Sequence, residues 1–594
     1  METHGFLPSL KHIENVTEDP GVKKQLRMGG FEAKVFMGTG IKAAYNIIMT
    51  RSDNKEQERS GIHLKYWDKI CKIPPRLSCI CIGFFIMRSI QMLGLLASLT
   101  SAAYNGPAPA LPDRQPFGFG ASVTGGGTPT NETTYLVENM MDLRTALKLT
   151  TPRTIYVKGE IKGNQVNETK SGDCQYYIDS SGVPNYNFTL YLMAMNTTYT
   201  SAVKAAAAAG EEFEGRNATD YLALLNRQNG WRGTAQNVQK STQTIDAQGN
   251  VTLIGWDADA YLNGVGLVFN SRSNIIIRNL RISPPRDCFP APETYPSSWN
   301  ARYDAIAFVT TTNAWLDGNI IYDGPTAVAP DPFLWGWKVD RYDGLFDVED
   351  GSDDITFSHN IVANHHKSLL WGGGEKEASR DIGKMKFTVF GNHFVNSMSR
   401  NPLMRFGTFY MVNNVFSNYN NKAPLFVSST TNTKREVVGR GMEERADVAY
   451  TPDFGYNMGI YNMSSVLVSG NYFDQSGAYS NDTTRIFTFS DLATPDWPAT
   501  FCSPADMNLG NVSSTLAAFQ SPKNSFNGED VDLLQNVQDG FKYYVSKKTD
   551  SVAGGLAVDC GAFEAQEMPR VFAGSGEVLV YVQGNAGQVG KSEL

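Results

Sequence analysis

Six short segments between residues 250 and 475 carry the same device, and that repeat restricts the fold more than any other feature of the chain. They are SNIIIRNLRI (273–282), TNAWLDGNII (312–321), DDITFSHNIV (353–362), KMKFTVFGNHF (384–394), GTFYMVNNVF (407–416) and SSVLVSGNYF (464–473). In each, β-branched or aromatic residues recur two apart, an Asn follows, and another apolar pair follows the Asn. Alternation of this kind predicts strands. The Asn falls where the chain must bend between two short strands, a place that tolerates left-handed backbone and lets the amide stack on its copies. Asn279, Asn319, Asn360, Asn392, Asn414 and Asn471 are separated by 40, 41, 32, 22 and 57 residues. The shortest gap suits one turn of a parallel β-helix, and the longer gaps are turns carrying loop insertions. The expected fold is therefore all-β, a single-stranded parallel β-helix in which each strand pairs with the rungs above and below. A β-sandwich would not demand an Asn in register with each repeat.

The flanks read differently. TTYLVENMMDLRTALKL (133–149) has apolar residues at helical spacing and is expected to form an N-terminal helix capping the open end of the solenoid. TPRTIYVKGEI (151–161) reads as a first strand, and residues 165–245 as an insertion with a helix over 201–213. The β-helix domain is expected to span 104–568, with a flexible Gly-rich tail over 569–594. From Met87, MRSIQMLGLLASLTSAAYN has the basic start, apolar run and small residues of a secretory signal peptide, over 87–103. A signal placed 86 residues into a chain would not function, so residues 1–86 read as a disordered gene-model extension. The competing reading, a signal anchor joining residues 80–85 to the later apolar run, is interrupted by Arg88.

Cysteine use fits export. Of seven Cys, Cys174, Cys288, Cys502 and Cys560 follow the expected cleavage; they allow two disulfides and leave three connectivities open. Sequons at Asn131, Asn167, Asn187, Asn196, Asn217, Asn250, Asn462, Asn481 and Asn511 suit a glycosylated extracellular surface. The mature protein is expected to be secreted, with no membrane association.

A balance of 52 basic against 60 acidic residues gives a net charge of −8. That excludes a nucleic-acid or polyanion binder working through its overall field. An anionic substrate would need a local basic patch or a bridging cation. Candidates for both occur in the repeat region: Asp304 in ARYDAIAF, Asp343 and Asp347 in RYDGLFDVEDGSDD, Lys367 in HHKSLL, and Arg400 and Arg405 in SRNPLMRFG. Residues four apart on a strand share a face, which places Asp343 beside Asp347. With rungs about 4.8 Å apart, acids from two rungs and bases from the next two would line one groove. Three carboxylates suit a hard cation, calcium above all, unless they are solvated turn residues. Asp353 and Asp354 are adjacent and face opposite ways, a poor pair for hydrolysis. After Met87 the histidines are His359, His365, His366 and His393, and the adjacent pair is badly spaced for shared zinc ligation. They read as scaffold or cleft-edge residues.

GFGASVTGG, NVTLIGWDADAYLNGVGL, NIIIRNLRI, YDGLFDVEDGSDDITFSHN, HHKSLLWG and RNPLMRFG, in this order from about Phe117 to about Phe473, resemble the pectate lyase family of polysaccharide lyases. The resemblance implies a right-handed parallel β-helix acting as a monomer on polygalacturonate (pectate) of the plant cell wall. It implies calcium-assisted β-elimination that yields unsaturated oligogalacturonides. It makes Asp304, Asp343 and Asp347 the calcium ligands, Lys367 a catalytic group that holds a substrate carboxylate, Arg400 the catalytic base and Arg405 a substrate-binding residue. Arginine is a base only where neighbouring positive charge disfavours its protonated form, so an alkaline optimum is expected. Two positions depart from the pattern. Gly318 replaces a His, with an expected effect on packing near the cleft, and Arg302 stands where some members carry a further Asp. Pectin lyases, which act on methylated substrate without calcium, lose the acidic cluster that is kept here. A non-catalytic pectin-binding β-helix could lose Arg400 or Lys367, and both are present.

Overall fold

The computed structural model describes strands within residues 22–51, residue 104, and residues 106–590 apart from 296, 325–332, 335–336, 419–453, 491–497, 507–522, 548–554, 565 and 571. The chain divides into two units, Met1–Ser98 and Leu99–Leu594. In the first, strands Val22–Met28, Phe31–Met37 and Tyr45–Arg51 form an antiparallel sheet, a departure from the disorder expected over 1–86. Two of the three segments, FEAKVFM and YNIIMTR, carry the β-branched and aromatic residues that favour strands, amid charged runs that obscure them. The signal sequence expected over 87–103 lies outside the described residues.

The second unit is built on three mainly parallel sheets of 11, 10 and 8 strands. One rung supplies Ile306–Val309 to the 8-strand sheet, Thr312–Asp317 to the 11-strand sheet and Ile320–Tyr322 to the 10-strand sheet. The next supplies Phe346–Glu349, Asp353–Ser358 and Ile361–Ala363 in the same way. Register is carried through seven rungs by Ile275, Ala314, Ile355, Phe387, Phe409, Val466 and Phe501. All seven are fully buried, because period-two alternation turns the same face inward on every turn. Aromatic rings stack along the axis at the rung spacing of about 4.8 Å. Phe394 and Phe416 lie 4.7 Å apart and Phe416 and Phe473 4.9 Å, while within one rung Trp371 stacks on Phe387 at 4.3 Å. The parallel β-helix read from the repeat is the fold.

The Asn residues form a ladder at the corner between the 11-strand and 10-strand sheets. Nδ2 of each donates to Oδ1 of the next: Asn319 to Asn360 at 2.9 Å, Asn360 to Asn392 at 3.1 Å, Asn392 to Asn414 at 2.9 Å, Asn414 to Asn471 at 3.0 Å and Asn471 to Asn524 at 3.2 Å. Two details differ from the sequence reading. The left-handed residue is the one before each Asn, namely Gly318, His359, Gly391, Asn413 and Gly470. Asn279, with φ +57°, occupies that preceding position, so Leu280 stands at the ladder level and its N–H donates to Asn319 Oδ1 at 3.1 Å. Asn524, far along the chain, is a further member. Because Asn392 is fully buried and bonded above and below, Asn392→Ala strands several polar groups at once. The expected cost is at least about 3 kcal/mol in chemical denaturation; a loss under 1 kcal/mol would show that the ladder is dispensable.

Helix Met140–Leu147 follows strand Thr134–Val137 and starts on Asn139, whose side chain accepts from the N–H groups of Met141 and Asp142. Its apolar face, Met140, Leu143, Ala146 and Leu147, joins the solenoid interior. The buried Arg153 takes up its last carbonyls, at 2.7 Å from Ala146 O and 2.8 Å from Leu147 O. The insertion is helical, with Cys174–Ser180, Phe188–Met195, Thr197–Ala209 and Ala218–Gln243. The helix expected over 201–213 thus runs four residues earlier and stops at Gly210, φ +71°. Disulfides join Cys174 to Cys288 and Cys502 to Cys560. Asn462 is fully buried, which removes it from the sequons a glycan could decorate, and Asn511 lies outside the described residues. The tail expected to be flexible instead carries helix Ser575–Asn585, with Val578 and Val582 fully buried. Its glycines flank an apolar EVLVYV run that docks on the solenoid. Among the described residues, no helix is long and apolar enough to cross a membrane.

Candidate active site

The six residues singled out in the sequence all lie on or beside four consecutive strands of the 8-strand sheet. Asp304 stands just ahead of Ile306–Val309, and Asp347 lies within Phe346–Glu349 with Asp343 ahead of it. Lys367 precedes Leu370–Trp371, and Arg400 and Arg405 bracket Leu403–Met404. Three rung steps separate the first acid from the arginines, about 14 Å along the axis. The shared strand face expected for Asp343 and Asp347 is not what pairs them, since Asp343 lies in the loop before the strand. Gly344 between them does the work. Its N–H donates to Asp304 Oδ1 at 2.9 Å, and a Cβ placed on it would fall 2.2 Å from Asp347 Oδ1. The missing side chain leaves room for the Asp347 carboxylate to approach Asp304 of the neighbouring rung.

Electrostatics set this acid pair apart. Burial pushes the Asp347 carboxyl up to about 8, against the pull of the Arg400 charge, and Asp343 adds repulsion. Burial likewise raises Asp304 well above the usual carboxylate range, with Asp347 and Asp343 adding to it. Leu370 N–H donates to Asp347 Oδ1 at 3.1 Å and offsets part of the cost. The buried Asp347 and the half-buried Asp304, with oxygen donors only, have the donor chemistry of a hard divalent cation site. Among the described residues, no three acidic, His or Cys side chains are drawn together as a closed metal cage. Asp343 instead turns to Lys367, whose Nζ stands 3.3 Å from its Oδ1. The donor set fits a hard cation provided that Asp343 swings from Lys367 towards the pair.

On the basic side, Lys367 Nζ also donates to Asn300 Oδ1 and stands 4.0 Å from Asp340. His365 fixes its backbone: Nδ1 bonds Asp323, and Nε2 bonds the Lys367 carbonyl at 3.1 Å. His366 bonds Asp340 at 3.1 Å. The scaffold and cleft-edge reading of these histidines agrees with that geometry. Arg400, half-buried and in left-handed backbone at φ +58°, is close enough to lower the Asp347 pKa. Arg405 donates to the carbonyls of Gly372 and Gly373, at 2.9 and 3.3 Å, and lies over the Tyr461 ring at 4.6 Å.

The two departures from the family pattern resolve differently. Gly318 sits at the Asn-ladder corner, away from these residues; a Cβ there would stand 3.4 Å from Arg114 and from the Gly587 carbonyl. It makes room for the C-terminal tail rather than shaping the cleft. Arg302 points at the insertion and donates to Asn237 Oδ1 at 2.8 Å. Asn300, Asp340 and Asp323 were not singled out in the sequence, because single polar residues in long loops carry no periodic signal.

A pectate lyase family profile matches residues 223–519. A pectate lyase of Bacillus subtilis (strain 168) is 28% identical over 376 residues, covering 62% of this chain and 77% of that protein. Pectate lyase E of Dickeya chrysanthemi is 34% identical over 178 residues, covering 30% of this chain and 46% of that protein. Among solved structures, a Bacillus subtilis pectate lyase variant superposes with a TM-score of 0.57 at 23% identity, over 79% of this chain and 96% of the other. A pectate lyase bound to a hexasaccharide does so with the same TM-score at 24% identity and the same coverage. These last two likenesses concern the fold. Since the profile spans half of the sequence and the site residues fall within it, the chain belongs to the pectate lyase family of polysaccharide lyases.

Proposed function

We propose that the protein is a secreted lyase that cleaves polygalacturonate by calcium-assisted β-elimination. The observation that carries this reading is the placement of Arg400 one rung beyond Lys367 and two beyond the buried Asp347. Asp304, Asp343 and Asp347 would hold the calcium ion. When bound, calcium supplies positive charge that neutralises a galacturonate carboxylate and acidifies the adjacent C5–H. Lys367 would leave Asp343 and bind the same carboxylate, stabilising the negative charge that grows as the proton departs. Arg400, neutral in its reactive form, would take the C5 proton onto a guanidine nitrogen. The C5 electron pair then forms the C4–C5 double bond as the C4–oxygen bond breaks, and the leaving oxygen is protonated from solvent. Arg405, fixed by two carbonyls and a ring, would hold a neighbouring sugar carboxylate. Export is supported by the two disulfides, which persist in oxidising compartments, and by the exposed sequons.

The test is release of ultraviolet-absorbing unsaturated product from polygalacturonate. A chelator should lower the rate by at least about 100-fold, and added calcium should restore it. Asp347→Asn should raise the calcium concentration needed for half-maximal rate by at least about tenfold. No product with calcium present would overturn the reading in favour of a binding protein.

A further inference from the structure

The helical insertion has no part in the chemistry described above, yet one of its faces reaches the acid cluster. Helix Ala218–Gln243 borders a recess of about 350 Å³ lined by Arg232 and Gln236 from the insertion, and by Glu293, Asn300, Arg302 and Asp343 from the solenoid loops. The wall is firmly built. Cys174–Cys288 ties the start of the insertion to the loop. Tyr303 OH donates to Gln236 O at 2.7 Å, and Cys288 N–H donates to Gln239 Oε1 at 3.0 Å. Trp299, Phe289, Tyr191 and Tyr177 pack into one buried cluster beneath it.

Charge within the recess is unevenly satisfied. Both acids are engaged: Asp343 faces Lys367, and Glu293 accepts from the Asn300 amide at 3.0 Å. The two guanidinium groups bond neutral oxygens. Arg302 reaches Asn237 Oδ1 at 2.8 Å and Gln236 Oε1 at 3.4 Å. Arg232 reaches Phe289 O at 2.7 Å and the same Gln236 Oε1 at 3.2 Å. The Gln236 amide therefore draws two like charges together, and its Nε2 is fixed by the buried Asp287 at 2.8 Å. Asp287 also feels the Arg232 charge, so the guanidinium with the least neutralisation is the exposed Arg302.

We propose that the insertion builds a further substrate subsite, which takes the carboxylate of an additional galacturonate unit, with Arg302 as its main contact and Arg232 as its second. The inference rests on the polygalacturonate reading above. The recess adjoins Asp343 and Asn300, on the side of the groove opposite Arg405, so it extends the binding track past the acid cluster. A planar, permanently charged fork suits a sugar carboxylate, and a methyl ester would forfeit the pairing. The subsite thus favours unesterified substrate at a unit that is not itself cleaved.

The test compares Arg302→Gln with the parent protein in calorimetric binding of hexagalacturonate and its methyl ester, each in an Arg400→Ala background to prevent turnover. Arg302→Gln should weaken the free acid about tenfold, leave the methyl ester within about twofold, and leave calcium affinity unchanged. With Arg400 restored, KM on polygalacturonate should rise while kcat holds, because the contact is made equally in ground and transition states. Arg302→Lys should recover part of the loss. Unchanged hexagalacturonate affinity, or equal weakening of acid and ester, would overturn the proposal, as would a parallel loss of calcium affinity. Failure of the parent to form unsaturated product would overturn the lyase reading alone, since the binding comparison stands without turnover.

Discussion

Arg400→Ala is expected to lower turnover on polygalacturonate by at least about a thousandfold, the scale of a lost general base. Binding should change little. Lys367 and Arg405, the other cations of the groove, stay in place, since neither is held by the Arg400 side chain. The backbone should also persist, because the contact Arg400 makes to its neighbour rung is main-chain: its carbonyl accepts from Leu369 N–H at 2.9 Å. The measurement is single-turnover release of unsaturated product beside calorimetric binding of an oligogalacturonate. Loss of affinity in step with loss of rate would make Arg400 a substrate holder and require another base.

The second large effect lies far from the groove, at Asp317. This fully buried carboxylate accepts from Arg278 Nε and Nη2 at 3.1 and 3.0 Å and from Ser358 at 2.8 Å, and it pairs with His359 Nδ1 at 2.9 Å. Arg114 joins it at 3.4 Å and extends to the Asn585 carbonyl at 2.8 Å. His359 continues to Tyr581 OH at 2.9 Å, and its carbonyl accepts from Gly587 N–H at 2.7 Å. One acid thereby fastens the C-terminal helix to the solenoid wall. Asp317→Ala leaves two guanidinium groups and a histidine without their common partner, and should cost about 3–5 kcal/mol. Hydrogen exchange should locate the loss in Ser575–Asn585 first. Uniform exchange across the chain would mean that the tail is not held this way.

The same cluster sets an acid limit. Burial alone would raise Asp317, but the hydrogen bond and charge of His359, with Arg114 and Arg278, bring it from 3.8 down to about 2. A carboxylate lowered in the folded state stabilises it above pH 3.8, and that contribution disappears as pH falls through about 2. Its size is about 2 kcal/mol. His359 works in the same direction: burial holds it below 6.5, so the unfolded chain takes up its proton first as pH falls. Thermal unfolding followed from pH 4 to pH 2 should therefore slope less steeply for Asp317→Asn than for the parent.

Much of this was legible in the sequence, for a specific reason. A solenoid writes its three-dimensional neighbours at one place in each repeat, so period-two alternation and a recurring Asn suffice to place the rungs. The groove followed because Asp304, Asp347, Lys367 and Arg400 stand near the start of successive strands of one sheet. What stayed hidden depends on contacts between distant, aperiodic segments. Asn279 was misplaced by one residue because an Asn suits either the left-handed position or the ladder. Gly344 gave no signal, since its role is to lack a side chain. The tail helix was masked by glycines around a short apolar run, and its anchor at Asp317 lies more than 250 residues upstream.

The two corners on either side of the 10-strand sheet obey opposite rules. At the Asn corner, two residues separate Arg278 from Arg281, Asp317 from Ile320, Ser358 from Ile361, Phe390 from His393, Val412 from Val415 and Ser469 from Tyr472. At the next corner, the chain leaves after Lys162, Ser283 and Tyr322 and re-enters the 8-strand sheet only at Thr244, Ile306 and Phe346. The first corner works as a ruler that meters these six turns alike. The second is open ground for growth, where whole helices can be added or exchanged without shifting a single strand pairing. Substrate preference in such a scaffold can be rewritten loop by loop, while the frame that keeps the chemistry in line is inherited untouched.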